Sequence, residues 1–288
     1  MSFEEYMKLY SQAKQRVTGV IYFVLHGRGK KINMPKFAEL LEGTLETVKF
    51  EPRGEDDEDL IIPKMFTKNG EVILQSRIDK VVSTEASLFG KATVDAPIRV
   101  RFRKKKLLIV GTTEIYFLIF RDESSKKYFL ILLSSRIKSN ELYQTLASHL
   151  KRLGLATSPS KLEHEQIEEV RKKLRGSLTY TTLGNFPTPK ITKKGIWGAG
   201  FQDEPSYLAD AQVGSIYQNQ FVFRDKHNEH NVVTVSDDGL IRFYNNISYK
   251  DFEWFLRGNI VQFLKQTKKP EIPSLLSYTF EDLFVDEE

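Results

Sequence analysis

Two dipeptides constrain this chain more than any other feature: Asn69-Gly70, between Ile61–Thr67 and Glu71–Ser76, and Asp238-Gly239, between Val232–Ser236 and Leu240–Tyr244. Asn-Gly and Asp-Gly tolerate the positive φ angles of a two-residue hairpin turn, whose twist matches that of the flanking strands. Antiparallel sheet is therefore expected in both halves of the chain. Val17–Leu25 (VTGVIYFVL), rich in β-branched and aromatic residues, is predicted as a buried strand. Val48–Phe50, Ile98–Phe102, Leu107–Val110, Glu114–Phe120 and Lys127–Leu133 are further strand candidates.

Helical spacing alternates with these runs. Ser2 and Glu5 form a capping box ahead of Phe3, Tyr6, Met7 and Tyr10, which predicts a helix to about Arg16. Asn33 caps a second helix to Glu42, with Pro35 in its first turn and Met34, Phe37 and Leu41 inward. Asn140–Leu153 repeats leucine at 142, 146, 150 and 153. Ser160 with Glu163 suggests another box, followed by a helix to Arg175 with Glu168–Lys172 and Glu169–Lys173 pairs. Ser248–Lys265 is the last helix, and Phe186–Ala211 carries few regular signals and reads as an irregular arm.

The expected class is α+β: antiparallel β-meanders packed with long amphipathic helices. ATSPS at 156–160 is the best linker, giving an α+β half over 1–155, a second over 156–267, and a Pro-containing acidic tail over 268–288. Removal of that tail is expected to leave the fold intact, unless Leu275, Leu276, Tyr278, Phe280, Leu283 and Phe284 dock on the body or on a protein partner. A partial internal duplication is also expected. At an offset of 103, Val110-Gly111-Thr112 falls on Val213-Gly214-Ser215, and Ile119-Phe120-Arg121-Asp122 on Val222-Phe223-Arg224-Asp225. Each copy is a strand, a charged turn and a strand leading to a helix, the second with one extra hairpin strand, Leu240–Tyr244, before it. The Arg-Asp step is best explained as a turn in which aspartate binds the backbone.

The chain of 288 residues has no cysteine, which removes disulfides, thiolate metal sites and a cysteine nucleophile together. That usage suits a reducing, cytoplasmic compartment or a hot one. No apolar run reaches membrane-spanning length, so no membrane partner is expected, and the N-terminal stretch lacks the apolar core of a signal peptide. The net charge of +5 permits an anionic partner without requiring one.

The densest charge is Arg99-Val-Arg-Phe-Arg-Lys-Lys-Lys106, six basic residues in eight. Alternation puts Arg99, Arg101 and Arg103 on one sheet face, spaced roughly 6.6–6.8 Å apart, with Lys104, Lys105 and Lys106 at the turn. Arginine forks onto phosphates and stacks on bases. Charge on an edge strand also prevents aggregation, so both roles stay open. The glycine turn Gly27-Arg28-Gly29-Lys30, followed by Lys31, adds a second basic site between a strand and a helix. It fails the Walker spacing and the dinucleotide fingerprint, leaving simple phosphate contact or a solvated turn. His227 and His230, beside Glu229 and Asp225, have no third metal ligand that the sequence fixes. His149-x-x-Arg152, although on a helix, sits in a β-rich chain without the further arginine and nucleophilic tyrosine of a recombinase. No cofactor is implied. The expected function is a non-enzymatic nucleic-acid-binding protein that grips DNA or RNA through phosphate contacts. A protein-interaction or scaffold module and a nucleic-acid-processing enzyme without a recognisable motif are the alternatives.

Overall fold

A computed structural model describes residues 3–26, 31–50, 60–69, 71–103, 105–133, 140–187, 192–225, 229–267 and 283–285. Its elements begin with α1 (Phe3–Ser11), β1 (Gln15–Leu25), β2 (Lys31–Ile32), α2 (Met34–Leu41) and β3 (Leu45–Phe50). Then come β4 (Leu60–Ile61), β5 (Thr67–Lys68), β6 (Glu71–Ser83), β7 (Ser87–Phe102), β8 (Lys105–Asp122) and β9 (Lys127–Leu133). The chain continues through α3 (Asn140–Arg152), β10 (Ala156–Lys161), α4 (His164–Lys173), β11 (Ser177–Gly184), β12 (Lys193–Trp197) and α5 (Pro205–Val213). It closes with β13 (Ser215–Arg224), β14 (His230–Ser236), β15 (Leu240–Ile247), α6 (Tyr249–Asn259), β16 (Lys265–Gln266) and β17 (Phe284–Val285). The class is α+β, dominated by antiparallel sheet.

The chain forms two compact units and passes between them several times. The first takes residues 1–23, 121–136 and 158–269; the second takes 24–120, 137–157 and 270–288. In the first unit the strand order is β12-β11-β13-β14-β15-β1-β9. One rung runs across six strands of it: Trp197, Tyr180, Gln220, Thr234, Arg242 and Thr18 stand opposite one another in turn. The adjacent rung, Thr181, Asn219, Val235, Ile241 and Gly19, faces the other way and is the core side. Gly19 is required there, because a Cβ would stand 2.8 Å from Ile131 and Phe252. Helix α6 packs on this side, with Phe243 at 4.9 Å from Phe255 and 5.8 Å from Phe252, both nearly edge-on. Helix α4 reaches it through Glu168, which holds Arg171 and accepts from the Asn219 amide at 3.4 Å. Buried Glu253 ties α1 to α6: it accepts from the Tyr10 hydroxyl at 2.6 Å and from Arg257 Nε at 2.7 Å. Arg257 also donates to the Arg121 carbonyl. A buried carboxylate without such partners would be costly. Desolvation, then the neighbouring Glu253, pushes the Tyr10 hydroxyl pKa far up, so it stays a donor.

In the second unit the order is β8-β7-β6-β3, with β4 parallel beside β8 and β5 beside β6. Asn69, at φ 54°, turns the β5–β6 hairpin as its sequence predicts. Asn33 caps α2 by accepting from the Lys36 amide at 3.2 Å, and Met34, Phe37 and Leu41 are buried. Helix α3 lies on β3, β6 and β7. His149, only 1% exposed, places Nδ1 2.8 Å from Thr44 Oγ1 and Nε2 2.7 Å from Ser76 Oγ. Burial lowers its pKa to about 4, so the ring is neutral at neutral pH.

Several expectations need correction. Helix α1 ends at Ser11 and β1 begins at Gln15, so the first helix is shorter than its spacing suggests. The runs at 98–102, 107–110 and 114–120 belong to two long strands, β7 and β8. ATSPS is strand β10, whose Ser160 hydroxyl donates to the Ile21 carbonyl at 2.7 Å. The capping box of α4 is Glu163 with Gln166, because Ser160 is already held in that strand. Glu168 pairs with Arg171 rather than Lys172, and Lys173 donates to the Gly258 carbonyl. The irregular arm contains β12 and α5. Helix α6 stops at Asn259, and α3, with 13 residues, is the longest described helix. The two segments at offset 103 each contain a strand, a turn and a strand. Asp122 accepts from the Ser125 amide and Asp225 from the Glu229 amide, the turn role assigned to both. The likeness stops upstream: Val110–Gly111 lie inside β8, whereas Val213 ends α5.

The chain's last described stretch, 283–285, docks within its unit. Phe284 pairs with Ile32, the Asn33 amide donates to the Leu283 carbonyl at 2.8 Å, and the Leu283 side chain is fully buried. Leu275, Leu276, Tyr278 and Phe280 lie outside the described residues. Truncation after Lys268 is therefore expected to destabilise the protein. Leu283→Ala removes a buried side chain of the kind that costs about 2–5 kcal/mol, so thermal melting should fall by roughly 5–15 °C. Met65→Ala, at an 82% exposed position, should leave it unchanged.

His149 makes stability depend on pH with a definite sign. Its folded pKa lies below the unfolded value of 6.5, so the unfolded chain binds more protons between the two. Its contribution is fully present above pH 6.5 and is lost as pH falls towards 4, by up to ~3 kcal/mol. Urea midpoints measured from pH 7 to 4 should fall more steeply for wild type than for His149→Asn.

Candidate functional site

The antiparallel ladder of β7 and β8 is continuous from Ser87–Phe120 to Phe102–Lys105, and Arg103 turns it at φ 45°. Strand β6 accompanies β7 only as far as the Ser76–Val94 pair. Asp95 ends that pairing. One carboxylate oxygen accepts from the Gln75 amide and the other from the Thr112 hydroxyl, both at 3.0 Å. Pro97, which has no N–H to offer a neighbour, follows two residues later. Beyond this point β7 and β8 continue as a ribbon without β6, joined on the β8 side, among the described residues, only by the two-residue β4 at Lys106 and Leu107. Its root is fixed by Leu108, buried with Phe50, Val72 and Leu74.

The ribbon brings most of the predicted basic site together. Arg99 stands opposite Leu108, with its guanidinium 5.9 Å from the centre of the Phe50 ring. Arg101 stands opposite Lys106, Lys105 closes the ladder, and Arg103 is in the turn. Lys104, Arg28 and Lys30 lie outside the described residues. Lys31 is in β2, which pairs with β17 rather than with a ribbon strand. Register puts Arg99 and Arg101 on one face. It does not send their apolar neighbours into a core: Ile98 is 44% exposed and Val100 36%. At this end, among the described residues, only the two-residue β4 accompanies the pair, beside β8 at Lys106 and Leu107. The exposure of Ile98 and Val100 on one side and Arg99 and Arg101 on the other shows that both faces meet solvent. Alternation alone does not show this, because it assumes that one face of every strand is covered.

Other candidate chemistry resolves into structure. Ser76 and His149 have nucleophile–base spacing, but both are 1% exposed and the imidazole is held at both nitrogens, so they anchor α3. Arg152 pairs with Glu46. Asp225 accepts from the Asn231 amide as well as from its own turn. No three potential metal-ligating residues cluster among the described residues, and His227 lies outside them. A cleft of about 670 Å³ in the first unit has Phe223, Phe243 and Phe255 in its wall, with Trp254, Asn246 and Lys14 among its other lining residues. No local motif marks it, because its walls come from β13, β14, β15, α6 and the residues beside β1 and α4.

Neither a model of a known protein family nor any curated protein matches this chain, so the site is interpreted from its own geometry.

Proposed function

We propose that this protein binds nucleic acid, without catalysing a reaction on it, through the β7–β8 ribbon. The observation that carries the reading is the combination at the ribbon's end: Arg99, Arg101, Arg103, Lys105 and Lys106 beside exposed Ile98 and Val100. Protection of an edge strand accounts for the charge and for Pro97. It does not account for exposed isoleucine and valine, which work against protection. Past the short β4 the tip of the ribbon, at Phe102 and Lys105 with Arg103 in the turn, is two-stranded and narrow enough to enter the major groove of a duplex. Arginines along one face would meet phosphates or guanine edges, and the β-branched side chains of the other face would meet sugars and thymine methyls.

A protein partner is the second reading. It is favoured by exposed Ile61 and Met65, which lie in β4 and beside β5 in the same unit. Such a partner would bind with weak salt dependence, whereas phosphate contacts release counterions.

The test replaces Arg99, Arg101 and Arg103 by Gln, which keeps polarity and approximate length. The triple variant should fold as wild type does, bind duplex DNA more weakly, and lower the slope of log K against log salt by about 0.9 for each phosphate it no longer neutralises. Equal affinity and equal slope for the folded variant would remove the ribbon as the site.

A further inference from the structure

We infer that the open face of the first unit's sheet is a second nucleic-acid site, one that stacks unpaired bases. The inference stands on its own residues and does not require the ribbon.

Trp197, at the edge strand β12, is 74% exposed. Its ring lies over Gly195, where a Cβ would come within 2.8 Å of the indole, and next to Tyr180, with ring centres 5.2 Å apart. The glycine lets the indole lie along the sheet and present its outer face. Gly184 does the same for Tyr217: a Cβ there would meet the Tyr217 ring at 2.2 Å, and Lys193 Nζ stands 5.2 Å from that ring's centre. Further along the Trp197 rung, Thr234 Oγ1 lies 3.4 Å from the hydroxyl of Tyr244, which is itself exposed.

Charge on this face has one sign. The registers place Arg16, Arg242 and Lys193 here, with Gln218 and Gln220 between them, and place no carboxylate on this face among the described residues of β1 and β11–β15. Arg16 and Arg242 enter no ion pair among the described residues. At a strand spacing of 4.7–4.9 Å, Trp197 and Arg242 stand on the order of 19 Å apart across the sheet, room for several nucleotides. Exposed aromatic faces with interspersed cations and side-chain amides suit single strands, whose bases are free to stack. A duplex keeps its bases stacked internally and offers none to Trp197.

The experiment uses the full chain with oligo(dT), oligo(U) and a DNA duplex, each about 15 units long. In a Trp254→Phe background Trp197 is the sole tryptophan, and its fluorescence should be quenched by the single strands and not by the duplex. Trp197→Ala should weaken single-strand binding about tenfold or more with an unchanged salt slope, and Trp197→Phe should restore most of it. Arg242→Gln should instead lower the single-strand slope by about 0.7. A quench by oligo(U) alone or by oligo(dT) alone would support the site, and oligo(dU) would then tell recognition of the sugar from recognition of the thymine methyl. Unquenched Trp197 at saturation, or equal single-strand affinity for wild type and Trp197→Ala, would overturn the inference. If the ribbon variant then still loses duplex binding, the ribbon reading survives that failure. If the ribbon variant binds duplex normally while Trp197→Ala loses single strands, the sheet face stands alone.

Discussion

The alternation of antiparallel strands is the constraint on which the first unit depends. Thr181, Asn219, Val235 and Ile241 face the helices only because their neighbours Tyr180, Gln220, Thr234 and Arg242 face away. A slip of one residue in any pair would carry an arginine or glutamine under α6 and a valine or isoleucine into water. Register is held locally by the Asp238-Gly239 turn, where Gly239 has φ 76°, and by the close approach of Gly19 to Phe252. Polar groups that do enter the core are matched. Thr181 donates to Asn219, Asn219 to Glu168, and Glu168 is neutralised by Arg171. The same alternation that builds the core thus leaves the opposite face to aromatic, amide and basic side chains.

The second unit uses the opposite device, a sheet that is made to stop. Asp95 occupies the hydrogen-bonding position that the next rung of β6 and β7 would take, and Pro97 has nothing to offer it. The β7–β8 pair therefore continues as a ribbon whose root is anchored by Leu108, whose β8 edge is met, among the described residues, only by the two-residue β4, and whose Ile98 and Val100 stay exposed. Anchoring limits the freedom of the basic end without burying it, and a preordered ribbon loses less conformational entropy on binding than a loose loop would.

Local chemistry makes much of this legible in the sequence. The hairpin turns at Asn69 and at Asp238-Gly239 and the Asn33 cap act within four residues of their targets, and Asn69, Gly239 and Asn33 stand where the residues place them. The features that escape a sequence reading depend on distant partners. Ser160 has the spacing of a helix cap, but Ile21, more than a hundred residues away, takes its hydroxyl. The ATSPS stretch has linker composition, yet it becomes a strand because β1 and β16 are beside it. The basic run at 99–106 is visible as charge, but its place at the end of a ribbon depends on where β6 stops. Trp197 lies in a segment of few regular signals, and its exposed place on the edge strand, with the indole over Gly195, depends on the pairing of β12 with β11.

Hydrogen exchange on the full chain, with and without a DNA duplex at low salt, tests the central claim most directly. The account predicts slowed amide exchange confined to the end of the β7–β8 ribbon, from about Ile98 to Leu107, and loss of that protection as salt is raised. Unchanged exchange across the ribbon, with protection elsewhere or nowhere in the chain, would contradict it.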